Sequence, residues 1–171
     1  MRTGVTPTGG RHSERVSNWL ADYIYGTIAT VVAILGLSLE SHPDALSAGA
    51  VIIVGAIAIW LAHGVSQLVA ERNRRTGPIP VADIVAAFRS SWPIVSAAVP
   101  ATIVMLLAEV GVYSTSTGLL IAQAIGVLAL AVVGIVTAEP ERPVLRRIAY
   151  VMLITGVGVL IVLMEAAVHR L

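Results

Sequence analysis

Seven polar side chains sit inside runs of sequence that are otherwise apolar, and their spacing limits the chemistry this chain can do. His63, Gln67 and Glu71 fall four residues apart in the stretch Ser47–Glu71, SAGAVIIVGAIAIWLAHGVSQLVAE. On a helix that spacing stacks all three on one face. The first sixteen residues of the stretch are apolar or small, so the polar stripe is confined to one half of it. Asp22 interrupts a second apolar run, Val16–Leu39. Counted from the arginine-rich ends of their runs, Asp22 is about five residues in and His63 about seven, roughly 8–11 Å at ~1.5 Å per residue. At equal depth the two can meet. A carboxylate beside an imidazole can hold a cation, or release it for a proton, near neutral pH.

A second polar layer lies toward the other end of the runs. Glu109 closes one apolar stretch, Gln123 lies about a turn and a half inside another, and Glu165 precedes His169 by four residues at the end of the last. Glu40, His42 and Asp44 crowd the turn after the first run, and Met105 precedes Glu109 by one helical turn. Burying an ionisable group in a bilayer costs roughly 2.5–3.5 kcal/mol on insertion scales, which makes each such residue a functional candidate. Plainer readings stand beside that one. Asp22 can be solvated near headgroups, His63 can bond a backbone carbonyl, Glu109 and Glu165 can be helix-end charges, and Met105 can be packing. Trp19, Tyr23, Tyr25 and Trp92 suit the aromatic belt of an interface.

The elements that must position these groups follow from composition. The 171 residues are 57% hydrophobic and 12% charged, with mean hydropathy +0.88, whereas soluble domains carry about 25% charged residues. The chain reads as all-α and polytopic, with five transmembrane helices and one short interfacial helix. Residues 1–15 form an expected flexible tail, and residues 16–171 a single membrane domain. The spans are Val16–Leu39, Ser47–Glu71, Trp92–Tyr113, Gly118–Ala138 and Ile148–Val168. Between the second and third, Val81, Ile84, Val85 and Phe88 repeat at helical spacing with Asp83 and Arg89 off that face, as in an amphipathic helix lying on a membrane surface. Pro100 inside the third span predicts a kink. Along the first span, Asp22 continues into a row of small residues, Gly26, Ala29, Ala33 and Gly36, which lets a neighbouring helix approach closely.

With the N-terminus in the cytoplasm, ten of the eleven arginines fall in inner segments and only Arg170 outside. That asymmetry places the C-terminus outside. There is no Cys and no Lys, so thiolate chemistry and disulfides are excluded. No basic patch suits nucleic acid. No Ser-His-Asp or H-E-x-x-H arrangement and no phosphate-cradling loop is present, so no catalytic residues and no cofactor are expected.

The stretch HGVSQLVAERNR resembles a Met-x-x-Gly-Glu-Tyr segment with a following Ser-x-x-Arg run in the vacuolar iron transporter family. The resemblance puts His63 on the family's pore-lining methionine and Gln67 on its glutamate. LALAVVGIVTAEPERPVLRRIAYVMLITGVGVLIVLMEAAV is similar to the family's last helix pair. DYIYGTIATV resembles its Asn-Asp-Gly segment, with Tyr25 where the family has its ion-binding aspartate and Asp22 one turn away. The family's glutamate-rich cytoplasmic helices have no counterpart, since the loop from Arg72 to Ser91 holds one acid, Asp83. The resemblance implies five helices and a dimer that exchanges ferrous or manganous ions for protons. The expectation is therefore a transporter of a small cation, a divalent metal among the candidates, with Asp22 and His63 as the metal site. Gln67, Glu71, Glu109, Gln123 and Glu165 would line the path. The competing expectation is a non-transporting scaffold or accessory subunit. The bilayer is the expected partner in either case.

Overall fold

A computed structural model of the chain describes residues 8–74, 77–137 and 144–168, with side chains resolved from Val16 onward in the first helix and for part of the last. It is all-helical among these residues. The order is α1 (Thr8–Ser38), α2 (Ala45–Arg74), α3 (Val81–Ser90), α4 (Pro93–Glu109), α5 (Thr115–Thr137) and α6 (Val144–Val168). Residues 1–7 and 169–171, including His169 and Arg170, lie outside the described set.

Among the described residues, three helices are long and apolar enough to cross a membrane: Val16–Ser38, Ala45–Arg74 and Thr115–Thr137. The pair α3 and α4 passes the same test jointly but is bent by 42°, so the described residues supply up to four of the five expected spans. α6 contributes a shorter apolar stretch, Val151–Ile161. α4 alone has 17 residues, about 26 Å, short of the ~30 Å hydrocarbon thickness.

The expected third span runs to Tyr113, but the helix stops at Glu109. Gly111 adopts φ 80°, a left-handed conformation that glycine takes without steric penalty. Its N–H bonds the Ala108 carbonyl at 3.0 Å and the Val112 N–H bonds the Leu107 carbonyl at 3.1 Å, closing the helix end. Tyr113 then folds back, its hydroxyl donating to the Val104 carbonyl at 2.8 Å. α1 begins at Thr8, ahead of the apolar run that starts at Val16. Extending an existing helix adds a hydrogen bond per residue without a new nucleation cost, so the end of the apolar run does not set the helix end. α4 runs through Pro100 as one element.

α4 is the centre of the bundle and packs on α1, α2 and α5, while α6 packs on α5 and α1, and α3 packs on α2. The core joins Ile34 and Leu37 of α1, Ala48 and Ile52 of α2, Ala101, Val104 and Met105 of α4, and Leu119 of α5. Met105 is fully buried and is packing. Small residues set how closely the helices approach. A Cβ on Gly26 would stand 2.6 Å from the Ile94 carbonyl oxygen and 2.7 Å from its Cα, so α1 and α4 touch backbone to backbone. The row of small residues is not continuous as a contact face, because Gly36 is exposed and meets nothing within 4 Å among the described residues. The buried face of α1 instead runs through Thr27, Thr30, Val31, Ile34 and Leu37.

Candidate functional site

Two long helices, α1 and α2, bring two ionisable groups together. Asp22 Oδ1 lies 3.3 Å from His63 Nε2. The carboxylate side chain is 14% exposed and the imidazole 35%, so the pair is sheltered more on the α1 side than on the α2 side. Asp22 is one turn before Gly26, where α1 is pressed against α4, which fixes its height and direction. His63 is followed by Gly64, whose missing Cβ leaves room for the Phe88 ring of α3.

Gln67 continues the site along α2. Its Nε2 lies 3.0 Å from His63 Nε2, and the Ser90 hydroxyl of α3 makes a long contact, 3.5 Å, to its Oε1. The imidazole nitrogen has either one lone pair or one proton to offer, yet it faces both a carboxylate and an amide. Which of the two neighbours that nitrogen serves depends on the imidazole tautomer and on the orientation of the Gln67 amide. The Tyr25 ring approaches from α1, with its centroid 6.3 Å from that of His63.

Beyond Gln67 a groove of about 510 Å³ opens between α2 and α3, lined by Glu71, Arg74, Asp83 and Ser90 among others. Glu71 and Asp83 both have interaction partners. A separate small cavity of about 20 Å³ lies between α1, α4 and α5, enough for about one water. Tyr23, Thr27, Thr30 and Pro100 line it. Both threonine hydroxyls donate back to carbonyls of their own helix, Thr27 to Tyr23 and Thr30 to Gly26, each at 2.8 Å.

The structure therefore joins Asp22, His63 and Gln67 and places Glu71 on the adjoining groove. Glu109 and Gln123, also expected on the path, lie on α4 and α5. Glu109 is exposed at the last position of α4. Gln123 is 4% exposed within α5 and has a partner of its own. Glu165 belongs to α6, and its side chain lies outside the described residues. Among the described residues no three His, Asp or Glu side chains converge, so a cation at Asp22 and His63 would take its remaining ligands from the Gln67 amide, backbone carbonyls or water.

Sequence reasoning did not assign Ser90 or the aromatic cluster that fastens α3. Trp60 Nε1 donates to the Phe88 carbonyl at 2.8 Å, and the Trp60 ring meets Phe88 and Trp92 edge-on at centroid distances of 5.4 and 5.7 Å. The available signal was a tryptophan one turn before the polar stripe and a phenylalanine on the apolar face of α3. No family model matches the chain, and neither a curated protein nor a solved structure does.

Proposed function

We propose that the chain is a five-span membrane protein that exchanges a small cation for protons, with α1, α2, α4, α5 and α6 as spans and α3 at the interface. The N-terminus is cytoplasmic and the C-terminus outside. Ferrous and manganous ions are the first candidates for cargo, and the resemblance to vacuolar iron transporters favours a homodimer. The observation that carries this reading is the 3.3 Å approach of Asp22 Oδ1 to His63 Nε2 from two different helices. When the site holds no cation, the pair shares one proton. A cation bound by carboxylate and bare imidazole occupies the same lone pairs, so its arrival releases that proton toward the groove at Gln67 and Glu71. Mixed oxygen and nitrogen ligands suit first-row divalent ions. The reading includes no catalytic role and no resident cofactor.

The test is flux in proteoliposomes. Wild-type protein should take up Mn(II) or Fe(II) with opposing proton movement, and Asp22→Asn, which keeps the shape of the side chain but not its charge, should lose at least about tenfold of the rate, ~1.4 kcal/mol in the barrier. Undiminished flux in Asp22→Asn removes the site.

The same contact favours a second reading, in which it is a cross-link between α1 and α2 in a scaffold or accessory subunit. In that case Asp22→Asn lowers thermal stability, and the wild-type protein moves no cation and gains no stability from one.

A further inference from the structure

The face of α3 turned away from Gln67 carries a second groove, apolar rather than polar. α3 has no buried residue, and its apolar residues Val81 and Val85 are 75% and 58% exposed. Between α3 and α2 lies a groove of about 340 Å³, lined by Trp60, Ile84, Val85, Phe88, Arg89 and Trp92. That volume is at the small end of ligand pockets, which run ~300–1,000 Å³. Its walls are aromatic and aliphatic, and the Trp60–Phe88–Trp92 cluster with its indole-to-carbonyl bond holds them in place. Arg89, expected off the apolar face, lines the groove beside Ile84, Val85 and Phe88 and is its one charged residue. It is exposed, and it has no ion-pair partner among the described residues. Arg72 and Arg74 lie at the same end of the bundle, in the last turn of α2.

We propose that this groove binds an anionic phospholipid, with an acyl chain against Trp60, Ile84 and Trp92 and the headgroup phosphate on the Arg89 guanidinium. An apolar slot with one guanidinium at its edge matches a molecule with an apolar chain below a phosphate, and a planar guanidinium binds phosphate oxygens in pairs. A soluble anion would leave the aromatic walls unused, and a neutral lipid would leave Arg89 without its counter-charge. The assignment rests on the membrane reading but not on cation transport.

The experiment uses the full chain in a Trp19→Phe background, so that both remaining tryptophans line the groove. It is reconstituted in vesicles of phosphatidylcholine with a minor share of phosphatidylglycerol. Bromine is carried on the acyl chains of the phosphatidylglycerol, or on an equal amount of the phosphatidylcholine, and tryptophan quenching is compared. Quenching should report about fivefold enrichment of the anionic lipid, the scale of one arginine at a charged surface. Arg89→Gln should abolish the enrichment, while Arg72→Gln, outside the groove, should leave it. Equal quenching by the two labels overturns the proposal, as does enrichment that survives Arg89→Gln. Equal losses in the two arginine variants would mean diffuse attraction and also overturn it. Absence of quenching by either label overturns the membrane reading, and this proposal with it.

Discussion

The two ends of the bundle contain similar residues in different states. At the α3 end, Asp22, His63 and Gln67 are linked by contacts of 3.3 and 3.0 Å, and Ser90 of a third helix reaches the amide. At the end marked by the α4–α5 turn, Glu40, His42 and Glu109 are exposed, and Asp44 is tied to its own helix start. Its carboxylate accepts the Ser47 N–H at 2.9 Å. The difference lies in the backbone around them. Near Asp22, Gly26 brings α1 into contact with α4, and Gly64 admits Phe88 to α2, so side chains from separate helices have fixed neighbours. Twelve residues before Gln123, Gly111 turns the chain at the surface, and Gly36 faces open space. Ionisable groups become a site where helices are held close enough to fix their direction, and otherwise they remain solvated ends.

The largest effect that can break this comparison comes from two substitutions in one helix. Gly26→Ala forces a methyl into the Ile94 backbone, which cannot yield as a side chain would. Overpacking of this kind costs about 1–3 kcal/mol, and thermal unfolding in detergent should show the loss. Gly36→Ala meets nothing within 4 Å and should be neutral or stabilising, since alanine is favoured over glycine in helices by up to about 1 kcal/mol. Equal losses would mean that the close approach of α1 to α4 is not what distinguishes the two ends.

A smaller effect tests how α3 is fastened. Trp60→Phe keeps an aromatic ring but removes the donor to the Phe88 carbonyl, a net loss of about 0.5–1.5 kcal/mol. Limited proteolysis in the loop before α3 should become faster while the rest of the bundle keeps its protection. Uniformly faster cleavage would contradict a local role for that bond.

The smallest effect is at Asp44. The Ser47 backbone N–H bonded to its carboxylate lowers its pKa below the usual carboxylate value. A depressed folded-state pKa contributes stability that is fully present above the unfolded value, about 3.9, and lost as pH falls through the lower folded value. Asp44→Asn keeps an acceptor but cannot titrate. Between pH 5 and 2.5, melting of the wild type should therefore worsen relative to Asp44→Asn, and parallel curves would contradict the cap.

Much of this arrangement is legible in the sequence, for reasons that also show where legibility ends. Counting residues at ~1.5 Å each gives the height of a group along its helix, and that was enough to bring Asp22 level with His63. The 81–88 periodicity was enough for α3. Height says nothing of azimuth. The row from Gly26 to Gly36 has helical spacing, yet only Gly26 of its two glycines meets another helix, because the direction of a residue is set by the partner it packs against. Ser90 and Trp60 escaped for the same reason, since their roles depend on α3 folding back onto α2 after a polar loop. The end of α4 was misplaced because hydropathy continues through Val110 and Val112, while the backbone turns at Gly111.

The central claim is that Asp22 and His63 act as one unit in cation–proton exchange. A double-mutant cycle on reconstituted flux tests it most directly, with Asp22→Asn, His63→Ala and the two combined. Groups that share one function are strongly non-additive, so the double variant should be no slower than the slower single variant. Losses that multiply, or single variants that transport at the wild-type rate, would contradict the account.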